Sequence, residues 1–399
     1  MGTNDQYTFA QHVMLRMTKS GAAGTAQVRF DRDEFALTVG DDRVLFLRNL
    51  FHETTDLSAD ERNARIDRFI TIMLAPDEPE RGWDDIRESL RPVLRGSTYG
   101  LGSDDMPEPL ARNAFPFVNE MVAIDREDTR IIVTVADAEK WGVPTEEIFA
   151  QARANLAATM ADAELEPRAI IRFVDDGSSY FASYPLIPEW FAALATPDFR
   201  PVVFIPDVDT LLVVPDDPDI LASIFEMVQE QYLEATRPLS PQGYTLDASG
   251  NIIPFDQAIS HPAWPAGQTA AAGLAVTEYS IQSEWISDRF DTDLELAEFD
   301  LEPAYPATPL LANGEDGVFT VTTWGEGVEF LLPRADYIAF CIMDAQEEVS
   351  TLCTVPFETA VELTGIRPVP GMTPERFEAR QWPEPAVLAA LARADVVLS

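Results

Sequence analysis

The stretch RPVVFIPDVDTLLVVPDDPD, residues 200–219, sets five aspartates around two apolar runs. Carboxylates that converge in a fold can hold a divalent ion or act as general acid and base. Asp207 and Asp209 raise that question most directly, because they flank Val208. VVFI and TLLVV read as strands and PDVD as the hairpin turn between them. There Pro sets φ and an Asp side chain takes up backbone N–H groups. One acid satisfies such a turn, so the second is open to other work. Asp216, Asp217 and Asp219 have ordinary roles at the start of the next helix. Asp217 suits the N-cap, Pro218 the first helical position, and Asp219 complements the dipole. No third ligand beside Asp207 and Asp209 is identifiable, so neither a metal site nor a cofactor is assigned.

Other patterns carry less chemistry. The chain has no G-x-S-x-G, Walker A or H-E-x-x-H motif. GLGSDD, beginning at Gly100, starts like a dinucleotide loop but lacks the last glycine and a preceding strand. His12, His52 and His261 lie far apart and read as surface or satisfied histidines, with nothing to mark a triad. Cys341 and Cys353 flank the expected turn MDAQEEVST and read as reduced, buried cross-strand neighbours. Without a C-x-x-C or Cys/His cluster, structural zinc is not expected. Arg62, Arg65 and Arg68 form a basic stripe that could grip a phosphate or carboxylate. Pairing with Asp60, Glu61 and Asp67 is the preferred reading. DTDLELAEFDLE, residues 291–302, lacks the glycine and spacing of an EF-hand. Its Leu294, Leu296, Phe299 and Leu301 fit a short buried edge.

The elements that must position these residues follow from periodicity and breakers. AQVRF, EFALTV and RVLFLRNL read as short strands. Ser58 and Glu61 fit a capping box. Ile66, Phe69, Ile70, Met73 and Leu74 then share one helical face. WDDIRESLRPVL reads as a shorter helix and residues 95–109 as a long loop. FPFVNEMVAID and TRIIVTV read as paired strands. PTEEIFAQARANLAATM reads as a helix, with Thr145 as N-cap and Ile148, Ala152, Leu156 and Met160 inward. Ile220, Leu221, Ile224, Phe225, Val228 and Tyr232 share a face of the helix after PDDPD. Residues 237–275 look loop-like. GVFTVTTW, GVEFLLP, YIAFCIM and STLCTVPF then read as strands, and EPAVLAALARA as a closing helix. Strands and helices mix without a βαβ rhythm. The expected class is therefore α+β, with mixed sheets, amphipathic helices and a smaller strand-rich C-terminal lobe. The expected domains are an N-terminal segment 1–25, an α+β region 26–255 with a sub-boundary near 95–114, and a lobe 256–399.

The chain has 399 residues and a formal net charge of −40, spread along its length rather than gathered in a tail. Nucleic-acid binding is disfavoured, because phosphate contacts need Lys and Arg. Anionic membrane is disfavoured for the same reason. The acidity admits three readings: a solvated surface in a salty habitat, a surface for a basic protein partner, or an acidic channel for a cationic ligand. The opening residues have no continuous apolar core, and no run is long enough to cross a bilayer. A soluble cytoplasmic protein is expected, of undetermined oligomeric state.

ARANL (152–156), PEWF (188–191), VVFIPDVDTLLVV (202–214) and RPLS (237–240), in this order, resemble the YtpQ-like family of uncharacterised bacterial proteins. VLFLRNL (44–50) and the Arg-rich helix after it are similar to that family's opening. The resemblance covers roughly residues 27–255 and implies domain limits and cytosolic placement, but no reaction. The acidity and the segment after 256 depart from it. Since it runs through all three segments, it implies that Arg153, Asn155 and Arg237 approach Asp207 and Asp209. The five are binding candidates. Of the two roles open to such a cluster, fixing the loop or orienting a ligand, the structural one is preferred. The function expected is a non-catalytic binding or regulatory protein with an acidic interaction surface, an immunity-type role being one form. The alternative is a divalent-metal-dependent hydrolase using acids near Asp207 and Asp209.

Overall fold

The computed structural model describes every residue except 1, 2, 25, 33, 34, 41, 42, 56, 75–81, 103–105, 127–129, 161–169, 176–178, 197–199, 259, 294, 295, 297, 298, 315, 316, 344–347 and 397–399. The end of GLGSDD, residues 344–347 of the turn MDAQEEVST, and Leu294 lie outside the described residues. The described elements form an α+β protein with mainly antiparallel sheets. They fall into two compact units, Met1–Gly82 and Trp83–Arg126 with Arg130–Ser399.

The first unit begins with helix α1 (Thr3–Ser20). Strands β1 (Val28–Asp31), β2 (Ala36–Val39) and β3 (Arg43–Phe46) form an antiparallel sheet, followed by α2 (Arg48–Thr54) and α3 (Ala59–Met73). Residues 1–25, expected as a separate segment, therefore supply a core helix. Phe9, Ala10, Val13 and Met17 lie on one face of α1 and are buried with Leu37, Leu45, Ile66 and Ile70. That spacing is amphipathic without being a continuous apolar run. The capping box forms: the Glu61 N–H reaches Ser58 Oγ at 3.4 Å and the Ser58 N–H donates to Glu61 at 3.1 Å. Met73 departs from the expected face and is exposed. Arg62 donates to the carbonyls of Thr54, Thr55 and Leu57, tying α2 to α3. Arg65 and Arg68 also have partners. Arg62 thus braces the fold rather than standing free for a ligand.

The second unit opens with a single helical turn, α4 (Trp83–Ile86). The helix expected here stops early, because Pro92 cannot donate a helical hydrogen bond. LRPVL instead pairs as β4 (Leu90–Gly96) in a sheet with β5 (Ala111–Phe115), β6 (Val118–Asp125) and β7 (Arg130–Ile132). Helix α5 (Val135–Trp141) follows, then α6 (Thr145–Thr159), whose N-cap is Pro144 rather than Thr145. Ile148, Phe149, Ala152 and Leu156 of α6 are buried.

Next come β8 (Ile171–Val174), α7 (Pro188–Leu194), β9 (Pro201–Asp207), β10 (Thr210–Pro215), α8 (Leu221–Glu234), β11 (Pro238–Leu246) and β12 (Ile252–Pro254). The sheet runs β12-β11-β9-β10-β8, all antiparallel. Val202, Phe204, Leu212 and Val214 pack on Leu221, Ile224, Phe225 and Val228 of α8. Val203, Ile205, Leu211 and Val213 pack on the other side against Leu186 and Phe191. A sheet covered on both faces explains why VVFI and TLLVV read as unbroken apolar runs.

Helix α9 (Trp264–Asp293) occupies a segment expected to be partly loop. Its Pro265 sits in the first turn, where a missing N–H costs little, and the alanines that follow are strong helix formers. It packs on α8 and β11 and also on β14 (Leu310–Gly314) and β15 (Gly317–Gly325). No break in packing therefore falls near 256, and the units part after Gly82 instead. The remaining strands are β13 (Tyr305–Pro306), β16 (Phe330–Pro333), β17 (Tyr337–Met343), β18 (Val349–Pro356), β19 (Arg367–Pro368) and β20 (Arg376–Ala379). They form sheets β14-β15-β17-β18 and β13-β16-β20-β19, with α10 (Phe357–Thr364) between β18 and β19 and α11 (Pro385–Leu391) after β20. Cys341 and Cys353 are free and buried; Cys353 lies opposite Phe340 and Cys341 opposite Thr351, across a bulge. Leu296 and Leu301 are buried and bridge each other.

Arg376 fastens α9 to β20. It is fully buried and donates to Gln282 Oε1 (2.6 Å), Ser283 Oγ (2.6 Å) and the carbonyls of Ala307, Leu331 and Tyr279. Burial pulls its pKa down to about 10. Among the described residues, no helix is long and apolar enough to cross a membrane.

Candidate functional site

The β9–β10 hairpin ends as its sequence implies, and its acids have partners within the chain. Asp207 Oδ1 accepts the Asp209 N–H at 2.9 Å, and Asp207 Oδ2 accepts from Gln231 Nε2 at 2.7 Å. Gln231 lies within 3.1 Å of Thr210 Oγ1 as well, so α8 is pinned to the turn. Asp209 Oδ2 accepts from Arg237 Nη2 at 2.6 Å, with the two side chains 38% and 56% exposed. Asp207 is therefore the capping acid and Asp209 half of a surface ion pair. Asp216 pairs with Arg200 at 2.8 Å. Asp217 accepts the Asp219 N–H at 2.9 Å and caps the turn that leads into α8. The helix itself begins later than expected, after Ile220. Among the described residues, no three His, Cys, Asp or Glu side chains come together as a ligand set.

Arg153 and Asn155 do not bond to this cluster. Arg153 forks onto Glu120, Nε to Oε1 at 2.8 Å and Nη2 to Oε2 at 2.6 Å. Arg112 adds a third bond to Glu120 at 2.7 Å and lies over the Phe149 ring at 4.2 Å. Glu120 is fully buried. Asn155 donates to the carbonyls of Arg87 and Leu90 at 2.6 and 3.0 Å and accepts from Gln151 at 2.7 Å. The reason is placement: α6 packs on β4 and β6, and its polar side chains satisfy the groups of that sheet. Glu120 carried a sequence signal, an acid inside the apolar strand FVNEMVAID, which buries well only with cations beside it.

The hairpin also joins a second polar chain that no motif announced. The Asp209 carbonyl accepts the Asp175 N–H at 2.7 Å. The Asp175 carboxylate meets Arg130 at 3.4 Å, and Arg130 lies 3.9 Å over the Tyr180 ring. Tyr180 donates its hydroxyl proton to Asp125 at 2.5 Å and holds a left-handed φ of 57°. Burial and Asp125 push the Tyr180 hydroxyl well above its ordinary pKa. His261 is likewise structural: its Nδ1 accepts the Ala263 N–H and its Nε2 donates to the Asp216 carbonyl. His12 bonds Asn63 at 2.8 Å, and the His52 side chain lies outside the described residues.

Elsewhere in this unit is a cavity of about 820 Å³ between β11, α9 and the β15–β17 region. Asp256, Asp336 and Glu358 line it, with Arg334 as its one guanidinium among the described residues. Asp336 Oδ2 accepts the Thr320 N–H at 2.7 Å and the Thr320 hydroxyl at 2.8 Å. Burial, and then the charge on Asp336, hold Asp256 above the ordinary carboxylate range. Arg334 is bound to Glu358 and, at 2.9 Å, to Glu375. A bulge in β11 between Ser240 and Gly243 presents Gln242, which is 4% exposed. Its Oε1, and that of Gln268 on α9, have no hydrogen-bond partner. Phe117 and Phe319 supply aromatic walls. These residues are far apart in sequence, and no pattern linked them.

No protein-family model, curated protein or solved structure matches the chain.

Proposed function

We propose that this is a non-catalytic binding protein of the cytoplasm that docks a basic protein partner on its acidic exterior. An immunity-type role against a basic toxin is one concrete form. One observation carries the reading. The outward face of α8 presents Glu226, Glu230 and Glu234 a turn apart, all exposed and without a cation partner among the described residues. Met227 and Leu233 on the same helix are 42% and 70% exposed. Like charges four residues apart cost a helix roughly 0.2–0.5 kcal/mol per pair. Glu234 adds a carboxylate at the end where the helix dipole is already negative. A basic, partly apolar surface would relieve both costs and cover the two apolar side chains. The net charge of −40 would speed the encounter. The YtpQ-like resemblance brings no reaction with it and fits the same reading. The hydrolase alternative lacks comparable support, because Gln231 and Arg237 already occupy Asp207 and Asp209.

The test is a low-salt pull-down from native lysate with the wild type and a triple variant, Glu226→Lys, Glu230→Lys and Glu234→Lys. The expected result is one dominant basic protein, released by salt and lost with the variant. The same proteins on both baits, or only a smear of basic proteins, would end the proposal.

A further inference from the structure

The cavity has a chemical bias. Three carboxylates line it against one guanidinium, and that guanidinium is already engaged. Arg334 bonds two glutamates and stacks over Phe357 and Phe377 at 5.5 and 5.3 Å from their ring centres. Asp256 has no ion-pair partner among the described residues, and the charge on Asp336 acts on it in the same sense as its burial. Gln242 is almost wholly buried, yet its carbonyl oxygen takes no hydrogen bond; the Gln268 carbonyl oxygen takes none either. A buried acceptor left without a donor is destabilising, because it has given up its hydrogen bond to water for nothing. What the site lacks is therefore donors and positive charge. Its size bears on the ligand too. A volume of about 820 Å³ lies in the range of small-molecule sites, roughly 300–1,000 Å³, and far exceeds what a bare ion fills. Phe117 and Phe319, which line the cavity, can cover an alkyl chain or attract a cation.

We propose that this cavity binds a small organic cation, an alkyl amine or guanidinium compound. Its charged head lies between Asp256 and Asp336 and donates to the side-chain oxygens of Gln242 and Gln268. Its carbon skeleton rests against Phe117 and Phe319. The site is separate from the outward face of α8, so the proposal stands whether or not a protein docks there.

Calorimetric titration and thermal melting of the full chain test it. Cadaverine and agmatine serve as probes, pentanol as a neutral counterpart, and Mg²⁺, Ca²⁺ and inorganic phosphate as competitors in kind. The expected result is that at least one of the two amines binds and raises the melting temperature, with affinity falling as salt rises, while pentanol and phosphate do neither. Asp256→Asn should weaken amine binding at least tenfold, and Asp336→Asn should also weaken it. Asp209→Ala, outside the cavity, should leave it unchanged. Gln242→Leu provides an independent arm should Asp256→Asn not fold, and it too should weaken binding. The inference is overturned if neither amine binds at millimolar concentration, or if pentanol binds as well as the amines. It is equally overturned if a divalent metal or phosphate is the species held, or if amine binding survives in both Asp256→Asn and Gln242→Leu.

Discussion

Glu120 and Asp256 are both carboxylates drawn away from water, and they meet opposite surroundings. Glu120 lies in the middle of β6 with three bonds from Arg112 and Arg153, so its charge is neutralised where it sits. Asp256 lies at a cavity wall with Asp336 as its electrostatic neighbour and no ion-pair partner among the described residues. The first arrangement is complete and rigid, and it joins α6 to its sheet. The second leaves charge and hydrogen-bonding capacity unused. The Asp209–Arg237 pair belongs with Glu120 in kind but is about half solvated, so its energy is small. The acids around the β9–β10 hairpin thus turn out to be structural, while those with unmet needs at the cavity come from distant segments.

The largest expected effect is at Glu120. Glu120→Ala would strip Arg153 of its carboxylate and leave Arg112 with Glu146 alone. Removing one partner of a buried ion pair costs about 3–5 kcal/mol, and because both guanidinium groups reach solvent the lower end is expected here. Urea unfolding measures it. A loss below about 1 kcal/mol would mean that Arg112 and Arg153 find water, and the contrast with the cavity would collapse. Next comes the cavity wall. Gly317 holds a φ of 128°, and an added Cβ would stand 2.6 Å from Gln268 Oε1. Gln268 can swing aside, but the backbone strain remains, so Gly317→Ala should cost about 1–3 kcal/mol in the same assay.

For Asp256 the sign is the informative part. Its raised pKa means that the native state keeps the proton to higher pH than the unfolded chain does. The associated stability is complete below the ordinary value of 3.8 and is lost as pH rises through the folded value. Asp256→Asn removes that loss. The variant should therefore gain on the wild type as pH rises from the acid side, and melt higher at neutral pH while binding amines less well. A variant less stable than the wild type at neutral pH would show that the carboxylate has an internal partner. The smallest effect belongs to the hairpin. A double-mutant cycle with Asp209→Ala and Arg237→Ala should return a coupling of about 0.2–1 kcal/mol, reduced by salt. A value above about 2 kcal/mol would place this pair beside Glu120 rather than at the surface.

Much of the secondary structure was legible in the sequence, and much less of the candidate site. The β9–β10 hairpin, the Ser58–Glu61 capping box, the inner faces of α6 and α8 and the strands β15 to β18 follow from local periodicity and turn chemistry. Those signals act over a few residues, so they survive without knowledge of what packs where. Pro92 and the Pro- and Gly-punctuated start of α9 were harder to place, because a breaker marks an end without saying which element replaces it. The turn marked Asp209 as an acid with capacity to spare, and it pairs with Arg237, whereas Arg153 and Asn155 are drawn to the sheet beneath α6. The cavity is a matter of tertiary structure alone. Gln242, Asp256, Gln268 and Asp336 lie on four segments, and only the packing of α9 between two sheets brings them to one space. Periodicity records which side of an element is buried. It does not record where two buried sides fail to close, since that depends on the shapes of elements far apart in the chain.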